Sequence, residues 1–357
     1  MAIIKGISSV AAFKKATVWG TPVVLGTLDG VGFVSESITA DVQLIEDQQL
    51  EGSSQQRQGE AGNRLFAGDL VTGARYEGLE PMVAQVFGTA GVPATIDTTA
   101  RVHTFKLNSD RTGIFGTFAI DKGFEVHEFT TAKLTGLSIK CAQGERAEIT
   151  FRMAAQDMNI NTSAGTNNNT TMGSVTQPAN REYLQFKHMV IRANAQGGAG
   201  LGASDVKYVS DFSCDIDRAD KVDDITTQYG NRIDEPEHDS WTMSKLSLGF
   251  SKYSDAATGG NAVLFAAQLA KTAQKIDVIF TGETLAGAAT EKFSWKFFFN
   301  SVQPMSGAPN VSGPGLTPFT LDCMAYRVTA APTGFPAGFV DAVTLQVTSQ
   351  HTANPLA

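Results

Sequence analysis

The residues best able to do chemistry are five histidines (His103, His127, His188, His238, His351), three cysteines (Cys141, Cys214, Cys323) and a run of carboxylates, Asp215, Asp217, Asp220, Asp223 and Asp224. A zinc site needs His and Cys at ligand spacing, as in His-Glu-x-x-His or paired Cys-x-x-Cys, and neither pattern occurs. His127 and Glu128 are adjacent in an alternating stretch, so they point to opposite faces and share no site. The carboxylate run opens like a calcium loop, Asp215-x-Asp217. It then places Asp220 where the sharp turn needs Gly and Thr226 where the bidentate Glu belongs. Gln196-Gly197-Gly198-Ala199-Gly200 sits in a hairpin-like connection, not between a strand and a helix, so it does not make a phosphate cradle. The cysteines are odd in number, far apart and each within an apparent strand, which reads as buried free thiols kept in a reducing compartment. No catalytic, cofactor-binding or metal-ligating set is expected.

The elements that would position such groups are mostly strands. The 357 residues exceed one usual core, which predicts two domains. Only 18% of residues are charged, 42% are hydrophobic and 35 are Gly, a folded composition rich in turns. A net charge of -8 opposes a phosphate-gripping nucleic-acid binder. The N-terminus shows no leader pattern, and no stretch approaches the ~20 apolar residues of a membrane helix.

Glu36, Ile38, Ala40, Val42 and Leu44 alternate with Ser35, Ser37, Thr39, Asp41 and Gln43, which predicts a strand with one buried and one wet face. A polar loop, Glu46–Arg64, follows, then a strand over Leu65–Tyr76 and a helix over Leu79–Phe87 with Pro81 in its first turn and Gly88 past its end. Strands are predicted at Val102–Leu107, Gly116–Asp121 and Glu125–Phe129, then a hairpin of Leu134–Cys141 with Ala147–Met153. The tract 161–182 is dominated by Asn, Thr, Ser and Gly, and reads as a linker.

Beyond it the layout recurs, offset by about 175 residues. Tyr208, Phe212, Cys214 and Ile216 alternate with Asp211, Ser213, Asp215 and Asp217. A polar loop runs over Ala219–Ser240, followed by a strand at Trp241–Phe250, a helix containing Val263, Leu264, Ala267 and Leu269, and strands to Val347. In Lys292–Asn300 the two-residue period puts Phe293, Trp295, Phe297 and Phe299 on one face, a core load of about 1.5–3 kcal/mol per buried side chain. The predicted division is 1–160, a linker at 161–182, and 183–357.

Several fragments resemble phage tail tube proteins: Lys14-Lys15-Ala16-Thr17-Val18-Trp19-Gly20-Thr21 at the opening, and Tyr76-Glu77-Gly78-Leu79-Glu80-Pro81-Met82-Val83 at entry to the helix. Val209 to Asp217 looks like the long inner strand, and Phe265 to Gly282 like the helix and strand after it. The Gly/Ala insertion at Gly197–Ser204 and the Pro/Gly-rich loop Ser306–Pro318 depart from the pattern. The resemblance implies a mainly β chain of two tandem tail-tube-like sandwich or barrel domains, each flanked by one short helix. It implies a structural, non-enzymatic virion protein made in the host bacterial cytoplasm. Copies would form a ring, a trimer with pseudo-sixfold symmetry, stacked into a tube that delivers DNA. Tail terminator, baseplate or tip, and tape-measure proteins would be partners; no membrane is involved.

On that reading Ser37, Thr39, Asp41, Gln43, Asp211, Ser213, Asp215 and Asp217 would face the lumen, and the two polar loops would be arms that reach the next ring. An inner tube or hub of a contractile injection system is the structural alternative. A carbohydrate-binding β-sandwich is the alternative of a different class; it would need exposed aromatic residues, whereas Trp19, Trp241 and Trp295 sit in or beside strands.

Overall fold

The computed structural model describes residues 9–47, 58–89, 91–160, 171–179, 182–222, 227–228, 231–256, 259–311 and 313–357. The chain is mainly antiparallel β. Its first half holds β1 (Val10–Ala16), β2 (Thr39–Ile45), β3 (Glu60–Gly73), β4 (Arg101–Lys106), β5 (Phe115–Asp121), β6 (Val126–Ala142) and β7 (Glu148–Ala155), with α1 (Glu80–Phe87) before β4. The second holds β8 (Met189–Ala195), β9 (Asp211–Asp217), β10 (Met243–Phe250), β11 (Gln274–Thr284), β12 (Lys292–Ser306), β13 (Phe319–Tyr326) and β14 (Val343–Ser349), with α2 (Ala262–Ala270) before β11.

The strand order is written twice. Hydrogen-bonded neighbours run β1-β5-β6-β7-β3-β2 in the first half. They run β8-β11-β12-β13-β10-β9 in the second. The long strands β6 and β12 each serve two sets of partners along their length. β6 pairs with β5 through its N-terminal part, and its C-terminal part pairs with β7 on one edge and β9 on the other. The seven-residue β6–β9 ladder, Asp211↔Ala142 to Asp217↔Gly136, joins the halves into one sheet. A second seam forms where β4 adds to β14.

Local signals explain the elements. Pro81 sits in the first turn of α1, and Gly88 closes the helix at φ 77° with its N–H donating to Ala84 O. Gly144, at φ 82°, turns the β6–β7 hairpin. One apolar cluster runs through both halves, from Phe66, Phe118 and Phe151 to Phe212, Trp295 and Phe319. Phe293, Trp295, Phe297 and Phe299 all lie buried in it, the core face that their spacing predicts.

Four expectations need correction. The two strands predicted at Glu125–Phe129 and Leu134–Cys141 are one, β6, because Thr130–Lys133 stay paired and buried across the polar interruption. The strand predicted from Leu65 begins at Glu60, so the first polar loop is shorter than its composition implies. The wet-and-buried alternation predicted for Ser35–Leu44 fails beyond Ile38: all seven residues of β2 are exposed, because the β2–β3 hairpin projects past the end of β7. A bulge opposite Gln43 puts the extra residue on β3, where Gly62 and Asn63 face this one residue of β2.

The fourth concerns the second polar loop. Its described parts fold back on themselves, with Asp239 N–H donating to Ala219 O and Lys221 N–H to Glu237 O, and meet the first half where Thr227 Oγ1 donates to Asn63. Asp220 forms an ion pair with Arg111, both side chains at most 2% exposed. The core of loop 46–64, residues 48–57, lies outside the described residues. So does most of the tract read as a linker; Met172 within it is buried, and Gly30 N–H donates to Thr176 O.

Removing one partner of a buried ion pair strands the other charge, at a cost of about 3–5 kcal/mol. Asp220→Ala is therefore expected to lower the chemical-denaturation midpoint markedly, while Asp255→Ala, at an exposed position, leaves it unchanged.

Candidate functional site: one polar face across both halves

The eight residues singled out by alternation come from strands about 175 residues apart, and the sheet brings them to one surface. Two four-stranded arcs of the same order, β2-β3-β7-β6 and β9-β10-β13-β12, are joined at the β6–β9 seam. Register decides the faces. Phe212, Cys214 and Ile216 lie opposite Cys141, Ile139 and Leu137 and point into the core. Asp211, Ser213, Asp215 and Asp217 therefore share the other face with Ser138 and Lys140 of β6.

The same parity puts Thr150 and Arg152 of β7 and Asp69 and Val71 of β3 on this surface. Ser35 opposes Val71, Ser37 lies beside Asp69, and Thr39 and Asp41 continue the row along the projecting hairpin. Gln43 keeps the parity of Asp41, since the bulge beside it puts the extra residue on β3. On the far side, Lys245 and Ser247 of β10 and Asp322 and Met324 of β13 extend it.

Charges on this face are largely arranged against one another. Arg152 reaches over Gly136 to Asp215 at 3.0 Å and donates to Ile216 O at 2.9 Å. Gly136 leaves the room, since a Cβ there would stand 2.4 Å from the guanidinium. Lys140 pairs with Glu148 at 2.9 Å, and Ser247 donates to Asp322 at 2.7 Å. Asp211 accepts from Ser210 and Asp217 accepts from Ala219 N–H, and among the described residues neither forms an ion pair. Cations and hydroxyls are present, and acids outnumber bases.

The other candidate groups scatter. His127 pairs with Glu125 at 2.5 Å, His188 meets Tyr76 at 3.3 Å, and His103 meets His351 O at 2.8 Å. Asp215 and Asp220 are tied to different arginines, and Asp223 and Asp224 lie outside the described residues. Among the described residues no three His, Cys, Asp or Glu gather as a metal set. An open recess of about 690 Å³ at the end of the β6–β9 seam is lined by Lys140, Glu145, Arg146 and Tyr183. Arg75 and Arg146 stack on Tyr183 at 5.0 and 4.5 Å, holding it as a wedge between the halves.

Of the groups that clamp the seam, sequence reasoning singled out only Asp220, as part of a carboxylate run and not as an ion-pair partner. Lys133, Arg111, Asp220 and Glu235 lie far apart in the chain and converge there, with Lys133 Nζ donating to Glu235 at 2.6 Å and to Pro236 O at 2.7 Å. Burial pushes the Lys133 ammonium below its usual range, opposed by Glu235. Nothing in local spacing marks them. Of the tryptophans, Trp295 is buried, Trp19 packs edge-on to Phe115, and Trp241 is 87% exposed.

The three cysteines are free and buried. Burial pushes the Cys141 thiol up to about 11 and the Cys323 thiol up to about 12, and moves Cys214 in the same direction. At pH 8 all three therefore stay protonated, and a small thiol reagent is expected to label none of them in the native protein and all of them after denaturation. Fast native-state labelling at any of the three would contradict this burial.

Comparison with known proteins agrees with the architecture. No curated protein matches the chain. A protein family described as phage tail tube protein matches residues 6–325, which takes in both arcs, both helices and the seam between them. This chain belongs to the phage tail tube protein family.

Proposed function

We propose that copies of this chain close into rings that stack as the tube of a phage tail, and that the polar face of the eight-stranded arc lines the channel through which DNA passes. The observation that carries this reading is that one four-stranded unit occurs twice in a single sheet order, with a dry face in the core and a wet face that no described element covers. The repeat supports taking 1–160 and 183–357 as two tube units joined through 161–182. Each chain then supplies two sixths of a ring, so three chains complete it.

The wall chemistry follows from its residues. Hydroxyls at Ser37, Thr39 and Ser213 hydrate the surface without charge. Acids at Asp41, Asp211 and Asp217 repel phosphates, and Arg152 and Lys140 are held by Asp215 and Glu148 and so are not free to grip the DNA backbone. Such a surface lets a polyanion slide. Tail terminator, baseplate and tape-measure proteins would meet the ends and the bore of this tube.

Negative-stain microscopy of concentrated protein is expected to show hollow rings or tubes; monodisperse monomers at every concentration would overturn the reading. In intact tails, Asp211→Lys with Asp217→Lys is expected to slow or stall DNA ejection, more so at low ionic strength, because screening weakens the added attraction. Unchanged ejection would show that these two positions do not face the DNA.

A further inference from the structure

The halves also meet at the second seam, where β4 of the first lies antiparallel on β14 of the second, from Arg101↔Ser349 to Lys106↔Thr344. Its chemistry differs from that of the β6–β9 seam, which arginine, lysine and carboxylates clamp. Three of the chain's five histidines bridge the halves. His103, on β4 opposite Val347, bonds the carbonyl of His351 just past β14, and His188 bonds Tyr76 just ahead of α1.

The turn after β14 is fastened to the start of α1. Ser349 Oγ donates to Glu80 Oε1 at 2.9 Å, and Gln350 N–H donates to Glu77 at 2.6 Å. Gly78 N–H holds the other oxygen of Glu80 at 2.6 Å. His103 is 2% exposed, and its ring is stacked on Phe105 at 6.0 Å.

Bonding fixes the tautomer of His103. The carbonyl oxygen of His351 can only accept, so the Nε2 that meets it at 2.8 Å carries the hydrogen. Nδ1 is then the bare nitrogen of the neutral ring, and it is buried with no hydrogen-bond partner among the described residues. A proton taken up there would put a charge in the seam with no acceptor at hand. Two titratable groups face the ring. Glu80 already accepts at both oxygens, from Ser349 and Gly78. His351 has its ring centre 5.3 Å away and its own Nδ1 buried without a partner among the described residues. Arg101, on the same strand, turns away to the carbonyls of Asp97 and Ala100. Burial pushes the His103 imidazole below its usual range; Glu80 and the bond to His351 O oppose this, and the His351 ring adds to it. An open recess of about 370 Å³, lined by Phe13, Glu77, Pro81, Pro178 and His351, brings solvent to the cluster.

We propose that the β4–β14 seam is an acid-released fastening: charging of His103 parts β4 from β14 and from the turn at Ser349–His351, while the β6–β9 ladder, which carries no histidine, stays closed. The halves are then joined by one seam instead of two, whatever the assembly of copies. A histidine buried neutral binds its proton more tightly once the seam opens. The seam therefore keeps its full stability above the ordinary histidine value of about 6.5 and loses it as pH falls below. Glu77 acts with the opposite sign. Burial raises its pKa, the Gln350 N–H lowers it and Glu80 raises it, the net shift being upward, so protonation of Glu77 favours the closed seam. Replacing His103 alone separates the two effects.

Hydrogen exchange read by mass spectrometry at about pH 7.5 and about pH 5.5, corrected for intrinsic exchange, is expected to find the amides of β4 about tenfold less protected at the lower pH. Those of Gly136–Ala142 and Asp211–Asp217 are expected to be unchanged. In His103→Gln, whose side-chain N–H can still donate to His351 O but which takes up no proton, β4 is expected to be equally protected at both pH values. Equal protection of β4 in the unaltered protein, a loss shared by the β6–β9 ladder, or the same loss in His103→Gln would each overturn the proposal. A second measurement needs no substitution. By nuclear magnetic resonance, His103 is expected to keep its neutral Nε2–H form wherever β4 stays protected; an imidazolium in a protected seam would overturn the proposal as well.

Discussion

A strand at the edge of a sheet carries a row of N–H and C=O groups that must be paired by chain, by water or by another molecule, and the architecture of this protein is organised by where those rows end. The β6–β9 ladder takes two edges that would otherwise be open and makes one surface of them. Everything else follows from that pairing. The dry faces of two units meet over a single core, the wet faces fall into register, and the loops on either side of the ladder come within reach of each other.

The clamp over this ladder is charged and buried, which is an expensive way to hold two units together. Arg111, Lys133, Asp220 and Glu235 are each ion-paired, and Lys133 and Arg111 also donate to main-chain carbonyls, Pro236 O for the one and Gln85 O and Leu134 O for the other. Such pairs fix geometry more than they add stability, since each loses its value if the partner shifts. The stacking of Arg75 and Arg146 on Tyr183 fixes the same seam from its other end.

The contrast between the helices shows how position changes the meaning of similar sequence. α1 and α2 are both short, both follow the second strand of a long hairpin, and both pack on the long strand of their unit, β6 or β12. Yet α1 is buried nearly all round and α2 leaves Val263 and Leu269 in solvent. Exposed apolar side chains on one helix and buried ones on its counterpart reflect what each helix packs against, not a difference in composition.

The period-two patterns of Phe293–Phe299 and Phe212–Ile216, the Pro81 and Gly88 bounds of α1, the hairpin of Leu134–Cys141 with Ala147–Met153 and the repeated layout were all legible from local residue types, because strand and helix periods are properties of a few neighbouring residues. The buried cysteines and the aromatic core were legible for the same reason. What only the tertiary structure decided was which edge meets which. No local signal says that β9, already paired with β10, also pairs with β6 of the other unit, that Arg111 finds Asp220 across 109 residues, or that β2, patterned as a half-buried strand, projects with both faces exposed. Alternation states that a strand has two unlike faces; whether anything covers the apolar one depends on long-range pairing, which the two-residue period does not encode.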